Sequence, residues 1–142
     1  MDTGCTEPDA RLKELRAFVS PADLLAQLVR LNYSGRVKLV TGEAEVQPGI
    51  KVHWVGGHTA GLQVVSVPTA KGTVVLTSDA SHFYRNVERR DPVQIITNLP
   101  QMLAGFETID ALAGAKERVV VGHDPEVAAR FDQVEPGIIK IA

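Results

Sequence analysis

Three short segments of this 142-residue chain each run an apolar stretch out into a side chain that can hold a metal. The first is Gly56-Gly57-His58-Thr59-Ala60-Gly61, where glycines on both sides of the histidine permit tight turns and close backbone approach. The second is Val75-Leu76-Thr77-Ser78-Asp79-Ala80, an apolar run ending in a carboxylate. The third is Val119-Val120-Val121-Gly122-His123-Asp124-Pro125. Imidazole nitrogen and carboxylate oxygen are natural ligands of zinc and similar divalent ions. Ligands at strand ends are held more firmly than ligands at loop tips. Any one segment is a weak signal, since a Gly-His-Thr turn arises by chance. Three in this order, each at the exit of a predicted strand, point to metal chemistry. The plain alternatives are a turn histidine at 58, a strand-end aspartate at 79 and a turn histidine at 123. Asp124 and Pro125 are accounted for as a helix N-cap and first helical residue.

The elements that must position these side chains are legible in outline. Ser20-Pro21-Ala22-Asp23 reads as a helix start, and Leu24, Leu25, Leu28 and Leu31 recur at helical spacing until Gly35. Val37 to Val40, Ile50 to Val55, Leu62 to Val67 and Thr73 to Thr77 are short and β-branched, with turn residues between them. This order predicts an antiparallel run rather than βαβ units. A second helix is expected over about Leu99 to Ala113, with Met102, Leu103, Phe106, Ile109 and Leu112 inward. A strand is expected at Arg118 to Val121, a short helix through Arg130, and an edge strand in the Gly137–Ala142 tail. His53 shares a strand side with Lys51 and reads as a polar-face residue. Glu88-Arg89-Arg90-Asp91 reads as a solvated loop.

Composition narrows the partners. Fifteen Lys and Arg against 17 Asp and Glu give a net charge of −2, so no basic surplus favours nucleic acid. The longest apolar runs fall well short of the ~20 residues of a membrane span. The polar start lacks the cationic and apolar regions of a signal peptide, which points to the cytoplasm. Cys5 is the single cysteine, so neither an intrachain disulfide nor a cysteine-based zinc knuckle can form. Residues 1–17 read as a polar N-terminal segment that need not be native, and 18–142 as the domain.

The order of the three segments resembles the second half of the metallo-β-lactamase superfamily. With Leu31-Asn32-Tyr33-Ser34-Gly35-Arg36-Val37 and Ser81-His82-Phe83-Tyr84, the chain looks most like the N-acyl-homoserine lactonase branch. The resemblance runs from about Phe18 to Ala142. It implies an α+β fold, the C-terminal half of an αββα sandwich with a mostly antiparallel sheet and flanking helices. It also implies two divalent ions, zinc by analogy, with His58 completing one metal site, Asp79 bridging both and His123 completing the other. Asp79 would be catalytic as well. Where lactonase-like members carry a tyrosine that approaches the substrate carbonyl, this chain has His82, with Tyr84 two residues later; both are candidates for that role.

The superfamily's His-x-His-x-Asp-His run has no counterpart here. The four histidines are His53, His58, His82 and His123, and no two lie close enough to form it. Each ion would then keep one histidine and a share of Asp79, against the three protein ligands usual for catalytic zinc. The chain alone is therefore expected to be a poor metalloenzyme and a truncation or remnant of a larger one. The expected partners are a missing N-terminal half or a second copy. If the site is completed, the resemblance implies attack of metal-bound hydroxide on a lactone or ester, the metal having brought water toward neutral pKa. A glyoxalase II-like thioesterase and a non-catalytic binding module are the other readings of the same residues.

Overall fold

The computed structural model describes residues 22–142; Leu12, Leu15, Cys5, the Ser20-Pro21 helix start and the polar N-terminal segment lie outside them. The chain divides into two units at Leu39/Val40. Of the first, the described part is helix α1 (Ala22–Tyr33) and the residues that follow it. Asp23 in its first turn and Arg30 in its last complement the helix dipole. It stops at the predicted place, with the Arg36 and Ser34 amides donating to the Leu31 and Arg30 carbonyls at 3.0 Å.

The second unit is built on a five-stranded sheet in sequential order: β1 (Ala44–Gln47), β2 (Ile50–Trp54), β3 (Gln63–Thr69), β4 (Gly72–Leu76) and β5 (Val119–Val120). The first four pair antiparallel, as the turn residues between them require. The fifth joins parallel to β4, because the chain crosses over through two helices, α2 (Tyr84–Arg89) and α3 (Leu99–Ala113). A short helix α4 (Glu126–Arg130) follows, then a separate hairpin of β6 (Asp132–Glu135) and β7 (Ile138–Lys140). The fold is the α+β arrangement expected: a mostly antiparallel sheet with flanking helices.

One face of the sheet carries the core. The registers His53↔Val64 and Ser66↔Val75 put these residues on a common side. Val64, Val75 and Val55 there pack with Phe106, Ile109 and Ala113 of α3 into one cluster. Helix α3 spans the residues the periodicity predicts. Its N-cap is Asn98, whose side chain accepts from the Gln101 amide at 3.0 Å, and proline sits in its first turn. The opposite face of the sheet carries Val52, Val65, Val67 and Leu76, all half-buried, and Trp54, which is 45% exposed.

Several expectations are corrected. Val37 to Val40 form no strand; β1 lies at Ala44–Gln47 instead. A four-residue segment needs a partner more than it needs β-branched residues, and the Pro48-Gly49 turn gives one to Ala44–Gln47 by folding it onto β2. The tail does not edge the main sheet, since the Pro136-Gly137 turn pairs it with β6. Leu103 is 40% exposed, whereas Gly105 and Ala113 are buried, because the buried stripe of α3 follows residues 102, 106, 109 and 113. The Glu88–Asp91 charge run is no simple loop: Glu88 and Arg89 end α2, and the Arg90 guanidinium pairs with Asp110 Oδ2 at 2.5 Å.

His53 is the largest correction on the sheet. It lies on the helix-covered face, 7% exposed. Its Nε2 meets the Ser66 hydroxyl at 2.8 Å and its Nδ1 lies 3.3 Å from Glu43 Oε2. A buried imidazole is tolerated when both nitrogens find partners, and here they do. Lys51, on the same side, stands at the outer end of the strand and reaches Glu43 at 3.1 Å. No helix of the described residues is long and apolar enough to cross a membrane.

Candidate metal centre

Three loops at one end of the sheet bring the side chains of His58, Asp79 and His123 together. The loop of His58 joins β2 to β3. It is closed by the Val55 and Gly56 amides donating to the Leu62 carbonyl, at 3.0 and 3.1 Å, and by the Trp54 indole N–H donating to the Ala60 carbonyl at 2.8 Å. Gly57 ties this loop to α3. Its carbonyl accepts the Thr97 amide (2.8 Å), the Asn98 amide (3.0 Å) and the Thr97 hydroxyl (3.0 Å). At φ +86°, a Cβ here would sit 2.7 Å from the backbone of Met102, so only glycine allows the approach.

Asp79 lies in the 3-10 turn Ser78–Ala80 that leaves β4. Ser78 is one of two described non-glycine residues with positive φ, at +48°, a conformation that persists where surrounding contacts impose it. The source of that constraint is β5. The parallel pairing of β4 and β5 continues past the strands as a backbone ladder. The Thr77 amide donates to Val120 (2.9 Å), the Gly122 amide to Ser81 (2.9 Å) and the His123 amide to His82 (2.9 Å). A Cβ on Gly122 would lie 2.5 Å from the Ser78 carbonyl oxygen. The glycine before His123 is thus what lets the third loop close on the second.

Four side chains converge as a result. His123 Nε2 stands 2.6 Å from Asp79 Oδ1, His82 Nε2 3.3 Å from the same oxygen, and His58 Nε2 3.9 Å from Oδ2. The rings of His82 and His123 meet edge to face with centroids 4.6 Å apart, and those of His58 and His82 at 5.7 Å. The ligand atoms of His58, Asp79 and His82 lie within 4.8 Å of one another. The His58 side chain is 15% exposed, that of His123 59%, so the cluster is walled on one side and open on the other.

Two observations test this donor set against a divalent cation. His58 Nδ1 lies 2.5 Å from the Ile95 carbonyl, which can only accept; this fixes the proton on Nδ1 and leaves the Nε2 lone pair toward Asp79. His82 Nε2 is buried and has no hydrogen-bond partner among the described residues; its 3.3 Å approach to Asp79 is not aligned as a hydrogen bond. Burial, then the neighbouring His123, hold the His82 imidazole below its ordinary pKa against the opposing pull of Asp79. A neutral imidazole with an unused nitrogen facing a carboxylate is the form that binds metal. The residues fit a divalent ion.

Tyr84 is not among them. Its side chain is buried, with the Arg130 guanidinium 3.4 Å above its ring. Its hydroxyl has no hydrogen-bond partner among the described residues, and burial pushes its pKa up. Tyr84 lines a cavity of about 670 Å³ together with Lys71, Arg118 and Arg130; none of the four clustered residues lines it. What Tyr84 gives the cluster is its backbone, whose N–H donates to Asp124 Oδ2 at 3.0 Å. Asp124 Oδ1 accepts the Glu126 amide at 2.9 Å, so its carboxylate ties the start of α4 to the start of α2; α4 begins at Glu126 with Pro125 at its N-cap, one residue later than the sequence suggested. These two amides hold its carboxyl below the ordinary range. A smaller cavity of about 240 Å³ opens beside the cluster, lined by His82, Phe83, Pro92, Val93, Gln94 and Ile95 among others. No sequence pattern marks Pro92–Ile95, which form no regular element and enter the site through the Ile95 carbonyl.

Known proteins were compared with this chain by sequence and by fold. No protein-family model matches it. An N-acyl homoserine lactonase of Bacillus sp is 36% identical over 103 residues, covering 70% of this chain and 36% of that protein. One from Bacillus thuringiensis subsp. kurstaki is 33% identical over 110 residues, covering 70% of this chain and 38% of that protein. Among solved structures, an N-acyl homoserine lactone hydrolase with the product N-hexanoyl-L-homoserine at its catalytic metal centre is 28% identical. It superposes with a TM-score of 0.60 over 70% of this chain and 40% of that one. A dizinc quorum-quenching lactonase, 16% identical, shares the fold alone, with a TM-score of 0.51. The chain spans 36% to 38% of the length of the curated relatives named here. Over that span it resembles the C-terminal part of the N-acyl homoserine lactonases in sequence and shares their metallo-hydrolase fold.

Proposed function

We propose that this chain carries the metal-binding C-terminal part of a hydrolase that opens a lactone, with N-acyl homoserine lactones as the substrate class. The observation that supports this reading is the convergence of His58, His82 and His123 on Asp79. The names of the relatives add the substrate class. In this reading His58, Asp79 and His123 are metal ligands and the metal is zinc. A divalent cation held there supplies an acidic water near pH 7 and an electrophile for the carbonyl. Asp79 fixes the spacing of the ligands around it. The His82 ring closes the inner wall of the cluster, and the open side at His123 admits substrate. The apolar lining of Phe83, Pro92, Val93 and Ile95 offers a place for the substrate's acyl chain. Tyr84 supports the site by holding Asp124 rather than by reaching the carbonyl. A second metal ion, with ligands from a second copy of the chain or from a separate N-terminal half, also belongs to this proposal.

Hydrolysis of N-acyl homoserine lactones, simple esters and a glutathione thioester by the zinc-loaded protein, followed as acid release, tests the reading. Lactone opening that falls at least a hundredfold in Asp79→Ala is the expected result. Turnover of the thioester alone moves the assignment to a thioesterase. Activity that survives in Asp79→Ala with unchanged metal content removes Asp79 from the mechanism.

A further inference from the structure

Two ligands per ion is too few for firm zinc binding, yet the cluster holds one side chain more than the resemblance supplies. That side chain is His82, at the position where the lactonase pattern has a tyrosine. We propose that His82 is a metal ligand, and that His58, Asp79 and His82, with His123 at the open side, form a self-contained site for one divalent cation within this chain. The proposal deepens the hydrolase reading and rests on its metal.

The geometry carries the assignment. Ligand atoms 2.0–2.2 Å from a tetrahedral ion lie about 3.4 Å from one another. His82 Nε2 lies 3.3 Å from Asp79 Oδ1 and His58 Nε2 3.9 Å from the other oxygen, Oδ2; one ligand atom from each of the three residues lies within 4.8 Å of the others, so small side-chain shifts bring all three onto one ion. His123 Nε2 is closer, at 2.6 Å from Asp79 Oδ1, which is the length of a charge-assisted hydrogen bond rather than of two ligands on one ion. His123 therefore joins as the fourth donor only by moving off Asp79, and its exposed side chain is free to do so.

The position of His82 is set by backbone. Its carbonyl accepts the His123 amide, and the Phe83 amide that follows donates to Asn86 Oδ1 at 2.7 Å. The ring has no other use for its Nε2: the atom is buried and unpartnered among the described residues. Leaving such a nitrogen without a partner is unfavourable, and a bound cation removes that cost. His58, Asp79 and His82 make up the three protein ligands usual for a catalytic zinc and leave the fourth position to water when His123 stays on Asp79, so the chain needs no ligand from outside to hold one ion.

Equilibrium dialysis against zinc with elemental analysis, on the wild-type chain and on His82→Tyr and His82→Ala, tests this. One equivalent in the wild type, with affinity reduced roughly tenfold or more in both variants, is expected. Nuclear magnetic resonance of wild-type protein with isotope-labelled histidine gives a readout that needs no variant. Zinc should displace the His82 Nε2 resonance along with that of His58. An unmoved His82 resonance, wild-type affinity in His82→Ala, two equivalents of equal affinity, or no bound zinc overturns the proposal. Zinc held through His82 by a protein that opens no lactone, ester or thioester sinks the hydrolase reading alone. Hydrolysis by a protein whose zinc ignores His82 sinks the ligand assignment alone.

Discussion

An alanine Cβ at position 122 would stand 2.5 Å from the Ser78 carbonyl oxygen and 2.8 Å from its carbon. Relieving that contact must push the His123 loop away from the Ser78–Ala80 turn. Overpacking of this kind typically costs about 1–3 kcal/mol. Gly122→Ala should therefore lower the urea midpoint and weaken zinc binding together, although residue 122 offers no ligand atom. Unchanged zinc affinity in a destabilised Gly122→Ala would show that the two loops are not what sets the cluster. At this scale the sequence made His58, Asp79 and His123 legible, because a histidine or aspartate flanked by glycine at a strand exit has few other uses. His82 was legible only as a neighbour, since a spacing of three residues does not say which way a ring faces. Tyr84 was misleading for the same reason: two residues further on, the chain has entered α2 and the ring turns under Arg130.

Helix α3 does two jobs that mutation separates. Its apolar stripe, centred on the fully buried Phe106 and Ile109, supports the sheet face from which the site loops emerge. Its N-terminus receives Gly57 and so fixes the His58 loop. Phe106→Ala should cost about 3–5 kcal/mol, the range for truncating a buried aromatic. Asn98→Ala, which removes the N-cap acceptor, should cost about 1 kcal/mol. Urea unfolding of the two variants checks the order, and an Asn98→Ala as damaging as Phe106→Ala would mean that the cap organises more than its own helix end. The extent of α3 could be read from the helical spacing of Met102, Phe106 and Ile109, since that periodicity is local. Strands β1 and β6 could not be read in advance, because four residues become a strand only when a turn delivers them to a partner. The run at 37–40 pairs with no strand among the described residues.

For the whole molecule, any ligand that binds the folded state alone raises stability by mass action, by about 2.7 kcal/mol at a hundredfold excess over Kd. Zinc at that excess should raise the thermal midpoint of the chain by several degrees, and a chelator should reverse the rise. Asp79→Ala should abolish the shift. An equal shift in that variant would place the stabilising metal elsewhere. The sequence by itself determined the residue types of the cluster, their order along the chain, the mostly antiparallel sheet and the resemblance to lactonases, because these follow from residue identity, turn chemistry and periodicity. The tertiary structure decided which of those side chains share a space. Closing β5 against β4 brings loops more than 40 residues apart into backbone contact. That closure draws His82 into the cluster, and it depends on the close approach of Gly122 to Ser78, a contact that no local pattern encodes.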